Sequence, residues 1–125
     1  MQSLLSNIAE DRLDLFKNGQ PQYSKIKKVI DLTDNDFASA TNFPVTSLKS
    51  GASKLPKDFL RILQDLGNGI NLVAEAFNGD MKKVNLWFQL RNPQLGNISP
   101  RDMIRHGRFK KLLQHIHNLR EGYHE

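Results

Sequence analysis

The sequence predicts an all-α fold, and three observations carry that expectation. No stretch alternates apolar and polar residues at period two. Apolar residues recur instead at spacings of three and four, the period of a half-buried helix. Cap residues, glycines and prolines punctuate these stripes at intervals suited to short helices. The chain has 125 residues, 38% hydrophobic and 25% charged, which is the balance of an ordinary globular domain. A chain of that length buries roughly two thirds of its unfolded surface.

The elements follow in order. Leu4, Leu5, Ile8, Leu15 and Phe16 form a broad apolar arc, read as a helical arm over residues 1–22 that stops at Asn18-Gly19-Gln20-Pro21. Residues 23–31 predict a short helix with Ile26, Val29 and Ile30 inward. Thr33-Asp34-Asn35-Asp36 has the form of a capping box and starts a helix carrying Phe37, Ala38 and Ala40. Thr41-Asn42-Phe43 is a turn, and a second short helix runs from Pro44 to about Ser50, ending at Gly51. Phe59, Ile62, Leu63, Leu66, Ile70, Val73, Ala74 and Phe77 make one continuous helical stripe. Gly67 and Gly69 lie inside it at about 1 kcal/mol each against alanine, so a kink or break there competes with continuity. Asp80 caps a helix over Met81–Leu90 with Val84, Trp87 and Phe88 inward, and Asn92-Pro93 stops it. Ser99-Pro100-Arg101-Asp102 starts the next helix, Gly107 ends it, and Phe109, Leu112, Leu113, Ile116, Leu119 and Tyr123 share the last stripe. The division expected is 1–22 for the arm, 23–66 for a helix-turn-helix-like region and 67–125 for a C-terminal helical domain.

Several function classes fall away. The chain has no cysteine, which excludes a disulfide framework, thiolate metal sites and a cysteine nucleophile. His115 and His117 sit about 200° apart on a helix and cannot share a metal. Gly67-Asn68-Gly69 lies within a helical stripe and is not a phosphate loop. The paired carboxylates have no apolar pocket around them, and no nucleophile motif is present, so the chain is not read as an enzyme and no cofactor is expected. The first residues lack a basic export signal and no apolar run spans a bilayer, so a cytoplasmic protein with no membrane association is expected.

Charge is distributed unevenly. The formal total is +5, but residues 29–80 hold four basic and seven acidic side chains, −3, while residues 81–111 hold eight basic side chains and only Asp102, +7. The two short helices before residue 51 have the spacing of a helix-turn-helix, whose second helix would offer Thr46, Ser47, Lys49 and Ser50, with Lys54 following, to operator DNA. The acidity of that segment is a poor match to a phosphate lattice and favours a structural pair of helices over DNA contact. The tail, Arg120 through Glu125, joins a glycine to an aromatic, an imidazole and carboxylates. Fraying is the default for a terminus, and insertion into a partner's cleft is the alternative.

From Leu72 onward the residues form an ordered series: Ala74-Glu75-Ala76-Phe77, Gly79-Asp80, Trp87-Phe88, Asn92-Pro93, Leu95-Gly96, Ser99-Pro100 with Asp102-Met103-Ile104, Gly107 and a closing Gly122. This series resembles the toxin-binding domain of the Xre/MbcA/ParS-type antitoxins, over about residues 70–123. Leu32-Thr33 through Leu48, with Leu55-Pro56, is similar to the Xre-type helix-turn-helix that precedes the domain in that family. Asn97 stands where the family has a second glycine and Phe88 where it has an aliphatic residue, and the second helix lacks the family's arginines.

The resemblance implies a bacterial type II antitoxin that covers the active site of a RES-domain toxin, an NAD-depleting enzyme. It implies a homodimer that represses its own operon. It also turns the tail into the favoured plug, making Arg108, Arg120, Gly122, Tyr123, His124 and Glu125 the toxin-binding candidates. The competing expectation is a stand-alone DNA-binding regulator that uses the C-terminal domain for dimerisation.

Overall fold

The computed structural model describes residues 10–49 and 54–121. It is mostly helical, with one small antiparallel hairpin. In chain order the described elements are β1 (Phe16–Lys17), β2 (Gln20–Pro21), α1 (Tyr23–Val29), α2 (Asp34–Thr41), α3 (Val45–Lys49), α4 (Lys57–Ala76), α5 (Met81–Gln89), a 3-10 turn (Pro93–Leu95), α6 (Pro100–Arg105) and α7 (Phe109–Glu121). No described helix is long and apolar enough to cross a membrane.

The N-terminal reading needs correction. The segment before α1 is not a helical arm where it is described: residues 16–21 form a hairpin in which Phe16 pairs with Pro21 and Lys17 with Gln20. Asn18 and Gly19 carry φ of 52° and 78°, the two left-handed positions of a hairpin turn whose twist matches its strands. The segment is held on the body by Asp11, whose carboxylate accepts from the Leu15 and Phe16 backbone N–H groups at 2.8 and 3.0 Å. Asp11 in turn accepts from the Asn71 side-chain amide of α4 at 2.9 Å. Leu15 is fully buried by this arrangement, so its apolar character serves the core without a helix. Leu4, Leu5 and Ile8 lie outside the described residues.

Most start signals act as expected. Thr33 and Asp36 form the reciprocal capping box, at 3.1 and 3.0 Å. Ser99 Oγ accepts from the Asp102 N–H at 3.1 Å with Pro100 in the first turn. α4 passes through Gly67, Asn68 and Gly69 without a break, and all three are buried. Gly67 costs helix propensity but admits close packing: a Cβ on it would lie 2.8 Å from the Phe16 ring and 3.3 Å from Ile26 Cδ1. The boundary expected at residues 66 and 67 therefore runs through a continuous helix.

α4 is the axis of the core, packed against α7, α1, α5 and the hairpin. At its N-terminal half Tyr23, Phe37, Phe43 and Phe59 meet edge-to-face, with centroids 5.1–5.9 Å apart. Phe59 is fully buried, so truncating it to alanine costs about 3–5 kcal/mol. At its C-terminal half Ile70, Val73 and Ala74 lie in one buried cluster with Val84, Phe88, Leu112 and Ile116.

Candidate functional site

The C-terminal half of the chain is shaped by local turn chemistry. Asn78 and Gly79 take left-handed conformations after α4, and Asp80 Oδ1 accepts from the Lys82 and Lys83 N–H groups at 3.1 and 3.3 Å to open α5. After α5, Asn92 and Ile98 pair across a short loop, with the Asn92 N–H donating to Ile98 O at 3.1 Å. Asn92 Oδ1 also accepts from Gln94 N at 2.9 Å. Gly96 and Asn97 both adopt positive φ, 82° and 64°, so asparagine serves in the turn where a glycine would. Gly107, φ 73°, reverses the chain between α6 and α7.

These turns bring the end of α4, α5 and the end of α7 together around an apolar cleft of about 200 Å³. Val73, Phe77, Trp87, Ile116 and Leu119 line it. Trp87 was expected inward and is half-buried, resting edge-to-face on Phe88 at 5.0 Å and lining the cleft. At the rim Arg120 Nε lies 3.5 Å from Glu75 Oε1, and each side chain keeps over a third of its surface in solvent. The cleft opens beside the end of α7. Outside the cleft lining, Leu86 of α5 and Leu90 at its C-cap are 51% and 54% exposed.

Of the predicted partner-binding residues, Arg120 reaches this cleft. Arg108 is exposed at the opposite end of α7, about 18 Å away along the helix axis. The structure does not bring the two together. Gly122, Tyr123, His124 and Glu125 lie outside the described residues. The sequence reading missed Glu75 as the partner of Arg120 because 45 positions separate them in the chain.

Of the predicted DNA-contacting residues, Thr46 and Lys49 are exposed on α3, Ser47 is half-buried, and Lys54 is exposed before α4. Ser50 lies outside the described residues. α2 and α3 pack against each other across a turn in which Asn42 is left-handed, φ 63°.

The basic stretch is only partly outward. Arg105 donates to Asp102 at 2.7 Å and lies 3.5 Å from Asp36 of α2, while Arg101 donates to Asp31 at 3.0 Å. The hydrogen bond from Arg105, helped by the Ser99 hydroxyl and the charge of Arg101 and opposed by burial, holds the Asp102 carboxyl below its ordinary range. His115 has a buried Nε2 with no partner, and burial pushes its pKa below the usual imidazole value. No group of three or more metal-ligating side chains occurs among the described residues. Comparison with known proteins finds no matching family model and no matching curated protein.

Proposed function

We propose that this protein is the antitoxin of a type II toxin–antitoxin pair and neutralises a RES-type, NAD-depleting toxin by occupying its active-site cleft. The observation that supports this reading is the ordered residue series from Leu72 to Gly107, in which Gly79, Asp80, Asn92, Gly96, Asn97, Ser99 and Gly107 each make a turn or cap. Together they leave Trp87, Leu119 and Arg120 on one accessible cleft at the end of α7. In this reading Gly122 to Glu125 act as the plug, with Tyr123 as its anchor and the Glu125 side chain as its anionic group. Inhibition of this kind is steric and asks no chemistry of the antitoxin. Leu86 and Leu90 offer exposed apolar surface that docking of the toxin would desolvate.

Co-expression with the RES-type toxin encoded next to it tests the reading. Growth rescue and co-purification are expected from the full chain. A chain ending at Glu121 is expected to lose rescue and to leave NAD consumption by the toxin unchecked. Killing that persists beside the full chain, without co-purification, overturns the proposal.

A second reading, repression of its own operon, rests on the exposure of Thr46 and Lys49 on α3 of the α2–α3 pair. Salt-dependent binding to the upstream operator, weakened by Lys49→Ala and Lys54→Ala, is its test. A salt slope unchanged in both variants removes it.

A further inference from the structure

We propose that the concavity bounded by the hairpin, α1 and α3 is a binding site for phosphate-bearing anions. It does not rest on the antitoxin reading, and it shares Lys49 with the operator reading. The concavity measures about 590 Å³, within the range of about 300–1,000 Å³ occupied by small-ligand sites. Lys17 from β1, Lys27 from α1 and Lys49 from α3 line it, against a single carboxylate, Asp34. Three cations and one anion leave the lining at +2.

The floor is already organised. Asp34 Oδ1 accepts from Tyr23 Oη at 2.6 Å and from Lys27 Nζ at 2.7 Å. The Lys27 ammonium also lies 4.7 Å from the centroid of the Tyr23 ring. Burial works against the Asp34 charge, but the hydrogen bonds from Lys27 and Tyr23 and the positive charges of Lys27 and Lys49 outweigh it and keep the carboxylate ionised. Asp34 therefore fixes Lys27 in place while engaging only one of its three N–H donors. No ion pair to Lys17 or Lys49 occurs among the described residues, whereas nearby Lys25 is already 2.6 Å from Asp14. Three ammonium groups from separate elements, one of them immobilised, suit a ligand with several anionic oxygens and two or more charges. Gln20 at the rim adds a neutral amide donor.

Titration of the full chain with pyrophosphate, followed by backbone amide NMR, tests the site. Saturable shifts are expected at Lys17, Gln20, Tyr23, Lys27, Asp34 and Lys49. The exposed double variant Lys17→Gln/Lys49→Gln, with an unchanged thermal transition, is expected to weaken binding about tenfold or more. Lys110→Gln/Lys111→Gln removes equal charge from the start of α7 and is expected to change it less than about twofold. Equal weakening by both double variants, or no saturable binding to the parent protein, overturns the proposal. A short duplex of unrelated sequence then separates the sources of phosphate. If pyrophosphate displaces it and Lys17→Gln/Lys49→Gln lowers its salt slope by about two, the occupant is a nucleic-acid backbone. If pyrophosphate binds and the duplex does not, the occupant is a free phosphorylated compound. Either result supports the site.

Discussion

Replacing Gly107 with alanine places two separate costs on one methyl group. The residue holds φ at +73°, a conformation that costs an L side chain about 1–2 kcal/mol. Its added Cβ would also lie 3.0 Å from the backbone carbonyl oxygen of Ala40. That carbonyl belongs to α2, so relief requires α2 and α6 to part by a few tenths of an ångström, and such overpacking costs about 1–3 kcal/mol. Loss of unfolded-chain freedom returns about 0.4–1 kcal/mol. The net destabilisation is about 2–3 kcal/mol, a fall in Tm of about 10 °C for a chain of this size. Gly19→Ala is the internal control: its φ is +78°, but nothing lies within 4 Å of the added Cβ, so it carries the conformational cost alone. Urea titration by circular dichroism, with m checked for constancy, gives both values. Equal destabilisation by the two substitutions would refute the close approach of α2, and a neutral Gly107→Ala would refute the left-handed turn itself.

Other consequences follow from single contacts. Arg105→Gln removes the link from α6 to Asp36 of α2 and the pair with Asp102 within α6, all partly exposed; after solvent screening the loss is about 0.5–1 kcal/mol by denaturant titration. Because Asp102 has its folded pKa depressed, this contribution is present above the unfolded value of about 3.9 and is lost as pH falls through the lower folded value, so parent and variant converge in acid. His115 also has a folded pKa depressed by burial, so its contribution is complete above about 6.5 and declines as pH falls towards the folded value; His115→Gln is expected to flatten the parent's loss of Tm as pH falls below about 6.5. Leu86→Glu with Leu90→Glu touches exposed positions and is expected to leave Tm within about 2 °C while reducing co-purification with the toxin partner proposed above, so a lower Tm with intact co-purification would count against α5 as a contact surface.

Helix identities were legible where local chemistry determines them. The Thr33–Asp36 box, the Asp80 cap and the Ser99-Pro100 start each satisfy backbone N–H groups within three residues, so the signal and the structure share the same short span. The hairpin is hidden in the sequence because Leu15 and Phe16 fit a helical arc as well as a strand end, and Asn18-Gly19 stops a helix as readily as it turns a hairpin. Its burial depends on Asp11 meeting Asn71, a contact across 60 residues that no local pattern encodes. Gly67 misled in the same way: propensity counts its cost, while its benefit, room for the Phe16 ring, exists only after the hairpin has docked. The apolar members of the cleft were read as a core stripe, correctly for Ile116 and only partly for Trp87 and Leu119, because spacing gives the face of a helix and not how far its neighbours extend over it.

Charge shows why the third dimension changes a functional argument. Along the chain, −3 over residues 29–80 argues against nucleic acid near α3, and +7 over residues 81–111 argues for an acidic partner elsewhere. In space the two segments pair in part. Asp31 meets Arg101, and Asp36 meets Arg105, so two anions of the acidic segment face two cations of the basic one. Asp34 is matched by Lys27, which comes from outside both segments. Near α3 the acidic groups are thereby paired within the protein, while Lys17 and Lys49 face the concavity. At the other end Lys82, Lys83, Arg91, Arg108, Lys110 and Lys111 stay exposed around α5 and the start of α7, so the outward basic surface there is smaller than +7 suggests. The field an approaching partner meets is set by which charges remain unmatched after folding. On that count the α3 side is more basic than its sequence, the α5–α7 side less so, and a phosphate-bearing ligand and a protein partner can engage different faces of one small domain.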